Sequence, residues 1–235
     1  MRIVALSQIT SIPGFYEPFS SLSHLLGAVV FAGLSIPLLR RAAGDKGRVI
    51  SLGIFCIGTV LLLTISGTYH LLEPDGLSRR IMRLIDHAAI FFLIACSFTP
   101  GHVILFRGWA RWGMLALIWS IAVAGITLKT IYFDSISPSL GLAMYIGMGS
   151  IGLGSVYALW RRLGFDYVRP LLWGGIAYAV GGMMEVMRWP VVVSGVVQSH
   201  EVFHVAVLIG LAFHWEFNFL IANLSVDQPQ PDGTP

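Results

Sequence analysis

The 235-residue chain is 56% apolar and only 11% charged, well under the charged share of about 25% in an ordinary soluble domain, which excludes a water-soluble globular enzyme. A formal charge of +3, scattered through the loops, gives no basic stripe for nucleic acid. Two cysteines, Cys56 and Cys96, lie inside apolar runs without a CxxC partner, which excludes a disulfide scaffold and a cysteine-rich zinc module.

Runs long enough to cross about 30 Å of hydrocarbon as helix fall at about 20–40, 49–71, 86–106, 112–131, 138–160, 169–187 and 199–222. The fold class is therefore all-α: a single-domain, seven-transmembrane helical bundle over 20–222. Residues 1–19 read as an N-terminal interfacial segment and 223–235 as a disordered Pro/Asp/Gln-rich tail. The apolar stretch of the first sixteen residues is broken by Gln8, Thr10, Ser11 and Pro13, which does not read as a cleavable signal peptide. No internal repeat is visible.

In chain order, Glu17, Ser20 and His24 open the first span at spacings that place them on one helix face; Glu17 and Ser20 read as capping residues, while His24 lies inside the apolar run. The second span ends in Ser66-Gly67-Thr68-Tyr69-His70, with Ser66 and His70 one turn apart and the hydroxyl placed to orient the imidazole or a bound water. A polar loop, 71–83, leads to Asp86 and His87 at the expected entrance of the third span. His102 and His214 read as satisfied core or interface residues. The fourth and fifth spans are built mostly of Gly, Ala, Leu and Ile with aromatic residues near their ends, and Lys129 is expected to snorkel to the headgroups. Glu185 and Arg188, spaced i, i+3, read as a structural ion pair. The last span opens on His200-Glu201-Val202-Phe203-His204. Two imidazoles one turn apart on one face can both bind a single tetrahedral metal ion.

Spans alternate in direction, so the starts of odd spans and the ends of even ones share a side. Glu17, Ser20, His24, His70, Asp86, His87, Glu185, His200 and His204 all fall on that side. Ionisable residues inside a bilayer are costly and mark functional sites. Three of these histidines, His70, His200 and His204, supply the three nitrogens of a catalytic-type Zn²⁺ site with a fourth position left for water. Asp86 is the natural partner for that water. His24 or His87 would supply a fourth ligand if the site were closed and structural.

The segments EPFSSLSH at Glu17–His24, SGTYH at Ser66–His70, LIDHAAIFFLIACSFTP at Leu84–Pro100 and HEVFHVAVLIG at His200–Gly210 resemble the hemolysin III proteins, bacterial members of the progestin and adipoQ receptor family. The resemblance spans essentially the whole chain. It implies a seven-helix membrane fold, zinc held by His70, His200 and His204, and supporting catalytic roles for Ser66 and Asp86. The receptor branch is ceramidase-like, so the implied reaction is zinc-assisted hydrolysis of a lipid amide, with a membrane lipid as substrate. Alternatives are a non-catalytic zinc-containing receptor, homeostasis or pore-forming haemolytic protein, and an intramembrane metallopeptidase, because His200-Glu201-x-x-His204 satisfies HExxH. Against the peptidase, no Asn-Pro-Asp-Gly or Leu-Asp-Gly segment supplies its third ligand, and His70 and Asp86 would be left without a task. The expected location is the plasma or inner membrane. Nine basic residues on the side opposite the histidines, against six on theirs, point the site outward by the positive-inside rule. The resemblance implies a cytoplasmic site, and that orientation is preferred.

Overall fold

A computed structural model describes residues 9–224; the first eight residues of the expected interfacial segment and the tail beyond 224 lie outside the described residues. Eight helices follow in order: α1 (Pro18–Arg41), α2 (Lys46–Leu71), α3 (Leu77–Leu105), α4 (Gly108–Ile131), α5 (Pro138–Ser150), α6 (Leu153–Leu163), α7 (Phe165–Met187) and α8 (Ser199–Ile221). No strand occurs among the described residues. Local signals set the helix starts. Proline occupies the first turn of α1 and of α5, where its missing N–H costs nothing. Asp45 accepts from the Arg48 amide at 3.1 Å to cap α2, and Ser137 accepts from the Leu140 amide at 3.2 Å to cap α5.

Six helical stretches are long and apolar enough to cross a membrane: α1, α2, α3, α4, the α5–α6 stretch Pro138–Leu163, and α8. The chain is thus a multi-pass membrane protein. The seventh expected span corresponds to α7, 23 residues long. It is interrupted by Arg169, Pro170, Glu185 and the paired glycines 174–175 and 181–182, and is not among these six. Two further departures from the sequence reading are local. The fifth span is two helices, broken at Ile151–Gly152 amid Gly147, Gly149 and Gly154. The third begins nine residues earlier than expected, so Arg79, Arg80 and Arg83, read as loop, occupy its first turns, and Asp86 lies inside the helix rather than at its entrance.

Helix α1 packs on α2 and on α8, which brings the first and last spans together, while α2 packs on α3, α3 on α4, and α7 on α8. The middle of the bundle is filled by Ala28, Phe31, Leu62, Leu63, Leu93, Val207 and Leu211. A second cluster, including Leu38, Leu52, Phe55, Ile104, Phe217 and Ile221, fills the end away from His70. Two glycines set the helix approach near the future site. A Cβ on Gly67 would lie 3.0 Å from the Leu25 backbone nitrogen, and one on Gly181 would lie 2.4 Å from the Ala206 Cβ. Only a bare α-carbon allows α2 against α1 and α7 against α8 at these distances. Cys56 and Cys96 are free and buried, as expected of small core residues.

Candidate metal centre

The end of α2 and the start of α8 meet at one end of the bundle. There His200 Nε2 lies 3.2 Å from His70 Nε2 and 3.1 Å from His204 Nε2. His70 and His204 are each 2% exposed, whereas 37% of the His200 side chain is exposed, so access to the cluster runs along the His200 edge. These three are the group of His, Cys, Asp and Glu side chains, among the described residues, whose donor atoms converge closely enough to share an ion.

The donor set fits a cation. His70 Nδ1 donates to Glu17 Oε2, and His200 Nδ1 donates to Glu185 Oε1 at 3.2 Å. With the protons held on Nδ1, both Nε2 atoms are bare acceptors, and two facing lone pairs repel unless a cation lies between them. A tetrahedral ion with metal–nitrogen bonds of about 2.0–2.1 Å separates its donors by about 3.3–3.4 Å, close to the two separations from His200, and all three donors lie within 4.8 Å of one another.

Each ring is fixed from behind. Glu17 is the residue before α1, and its second oxygen accepts from Arg79, whose guanidinium also donates to the Leu72 carbonyl. Burial alone would raise the Glu17 carboxyl, but the His70 hydrogen bond and the Arg79 guanidinium outweigh it and hold it at about 2. A carboxylate on the far nitrogen of a ligating histidine fixes its tautomer and raises its basicity. Glu185, at the end of α7, does the same for His200 and accepts from Ser199 Oγ at 3.2 Å. His204 is held by stacking on His24, with ring centroids 3.8 Å apart and planes 19° off parallel. His24 Nε2 approaches the His204 carbonyl at 3.4 Å. Asp86 is buried on α3 with its Oδ2 3.8 Å from His87 Nδ1, and Ser66 is buried one turn before His70 on α2.

Several residues have other tasks than their sequence context implied. Ser20 does not cap α1; it donates to Glu201 Oε1 at 3.0 Å across to α8. Glu17 makes no cap bond either. The Glu185–Arg188 ion pair gives way to the Glu185–His200 pair, with Arg188 turned into the left-handed region at φ 56° to end α7. His87 donates to the Arg83 carbonyl at 2.8 Å and packs on Phe133, away from the triad. Lys129 is only 5% exposed, its ammonium covered by Phe133 and the first turn of α5 rather than open to solvent. Glu201 is 1% exposed; its Oε2 accepts from the Gln198 amide at 2.9 Å, completing a capping box. With Ser20 on its other oxygen, Glu201 ties α1 to the start of α8. His102 bonds to the Phe98 carbonyl at 2.9 Å and Ser155 Oγ at 3.0 Å, a satisfied residue as expected.

These features define a class: a polytopic helical membrane protein with a buried histidine centre at one end of the bundle. A family model described as Haemolysin-III related matches residues 15–215. The chain belongs to that family. It is 29% identical over 198 residues to Hemolysin-3 of Bacillus cereus, covering 83% of this chain and 87% of that protein. It is 28% identical to the Hemolysin-3 homolog of Bacillus subtilis (strain 168), over 73% of this chain and 81% of that one. Heptahelical transmembrane protein ADIPOR2 of Oryza sativa subsp. japonica is 32% identical over 69% of this chain and 77% of its own length.

Proposed function

We propose that the chain is a seven-span zinc-dependent hydrolase of lipid amides, with His70, His200 and His204 as the metal ligands. The observation that carries the reading is the convergence of three Nε2 atoms, two of them stripped of protons by carboxylates behind the rings. The seven-span count is supported by parity. His70 ends α2 and His200 opens α8 at the same end, which requires an even number of crossings between them. Helices α3, α4 and α5–α6 supply three, and α7 supplies the fourth.

Bound at these nitrogens, zinc would supply a Lewis acid for a carbonyl oxygen and lower the pKa of water toward about 7. The protein's own part is positional. Asp86 is the general base, taking the proton of the attacking water and returning it to the leaving amine. Ser66 holds the Asp86 carboxylate toward the triad. Glu17 and Glu185 keep the His70 and His200 tautomers fixed. The exposed edge of His200 admits the amide, and the apolar bundle around the triad favours a substrate already dissolved in the bilayer, such as a ceramide-like lipid. We place the site on the cytoplasmic side of the plasma or inner membrane.

Against the peptidase reading, each Glu201 oxygen already accepts a hydrogen bond within the fold. A non-catalytic zinc protein is separated from the hydrolase by one variant. The purified chain in lipid nanodiscs is assayed for fatty-acid release from an N-acyl lipid. Activity lost in both His204→Ala and Asp86→Asn, with zinc retained in the latter, supports the hydrolase. Activity that survives His204→Ala unchanged contradicts it.

A further inference from the structure

A separate cluster of charge lies at the same end of the bundle, where α3, α4 and α5 meet. Phe133, just beyond α4, is its hub. The Arg83 guanidinium sits 4.6 Å and the Lys129 ammonium 4.9 Å from the ring centroid, and His87 meets the ring edge-on at 5.0 Å. Lys129 is 5% exposed and, among the described residues, has neither a carboxylate nor a carbonyl as partner. Its ammonium points at the first turn of α5, where a Cβ on Gly141 would lie only 3.3 Å away. The Arg83 Nε is likewise buried without a partner.

The local charge does not balance. Arg80 and Arg83 share one carboxylate, Asp134, at 3.7 and 3.6 Å, and 73% of the Asp134 side chain is exposed. Asp86, the next acid along α3, lies 3.8 Å from His87 Nδ1 and pairs with none of Arg80, Arg83 and Lys129. Three cations therefore meet one solvated carboxylate. The last turn of α4 favours a cation at Lys129, but the positive end of the α5 dipole opposes it. Paired cations with an adjacent helix N-terminus are what an anion requires. The corner is flanked by Leu128, Ile131 and Leu140, each at least 45% exposed, an apolar face suited to acyl chains.

We propose that Arg80, Arg83, Lys129 and the first turn of α5 bind a phosphate group, and that its source is the headgroup of an anionic lipid. Basic sites between spans at headgroup level recognise such lipids. These groups share no residue with the histidine triad.

The test uses the full chain in detergent, titrated with phosphatidylglycerol and with phosphatidylcholine and read by native mass spectrometry. Phosphatidylglycerol is expected to bind preferentially, and to bind about fivefold more weakly in each of Lys129→Met and Arg83→Gln. Lys129→Arg keeps the charge and should retain binding, and Arg161→Gln, at the opposite end, should match wild type. Inorganic phosphate in large excess should not displace the lipid; displacement would overturn the lipid as source. Equal binding of the two lipids, or wild-type retention in both charge-removing variants, would overturn the site.

Discussion

Replacing Glu17 by alanine removes the carboxylate that joins His70 to Arg79. The Glu17 side chain is 19% exposed and that of Arg79 9%, so the guanidinium would be left nearly buried with the Leu72 carbonyl and the Tyr16 and Tyr69 rings but no carboxylate to meet it. Breaking a fully buried ion pair from one side costs about 3–5 kcal/mol; with a fifth of the carboxylate already in solvent, about 2 kcal/mol of stability is at stake. The effect on metal is separate. Losing the carboxylate behind a ligating histidine weakens metal binding by about 10- to 100-fold, or about 1.4–2.7 kcal/mol. Zinc affinity measured by competition with a fluorescent chelator, on protein whose fold is checked by gel filtration and circular dichroism, reads the second effect directly. Glu185→Ala should weaken binding less, because that pair is over one third exposed on both sides. A folded Glu17→Ala chain with wild-type zinc affinity would refute the reasoning.

Four other outcomes follow from the same geometry. Asp86→Asn should keep its zinc and lose about 10²- to 10⁴-fold in lipid amidase rate, measured as fatty acid released. Glu201→Gln should retain zinc and part of its activity while losing about 1–3 kcal/mol of stability, because it unpairs Ser20 or the Gln198 amide; complete loss of turnover with an intact fold would revive the peptidase reading. Gly181→Val should force α7 from α8 at the Ala206 contact, costing about 1–3 kcal/mol and displacing Glu185 from His200, seen as lower thermal stability and weaker zinc binding. Stripping the metal with a chelator should lower the thermal midpoint and readdition should restore it, since a ligand at about 1,000 times its Kd contributes about 4.1 kcal/mol.

The histidine cluster was legible because helix geometry brings its members together. The SxxxH and HxxxH spacings place Ser66 with His70, and His200 with His204, on single faces, and alternation of spans puts them on one side. The carboxylates that orient the rings were not legible. Glu17 before a proline looks like any helix start, and Glu185 three residues from Arg188 looks like any surface pair. Their partners, His70 and His200, are distant in sequence and meet them only through packing. The early start of α3 was hidden because Arg79, Arg80 and Arg83 resemble loop residues, although a helix can rise out of the membrane before it ends. The break in the fifth span had a signal in its four glycines, 147, 149, 152 and 154. Lys129 misled because a lysine near a span end ordinarily reaches for water, and only the fold places it against Phe133 and Gly141.

The most direct test is elemental analysis of the purified chain beside His70→Ala, His200→Ala and His204→Ala, all in the same detergent and free of affinity-tag metal. About one zinc per wild-type chain is expected, with a large loss in every variant. Wild-type protein that holds no zinc above buffer when zinc is supplied, or three variants that hold as much as wild type, would contradict it.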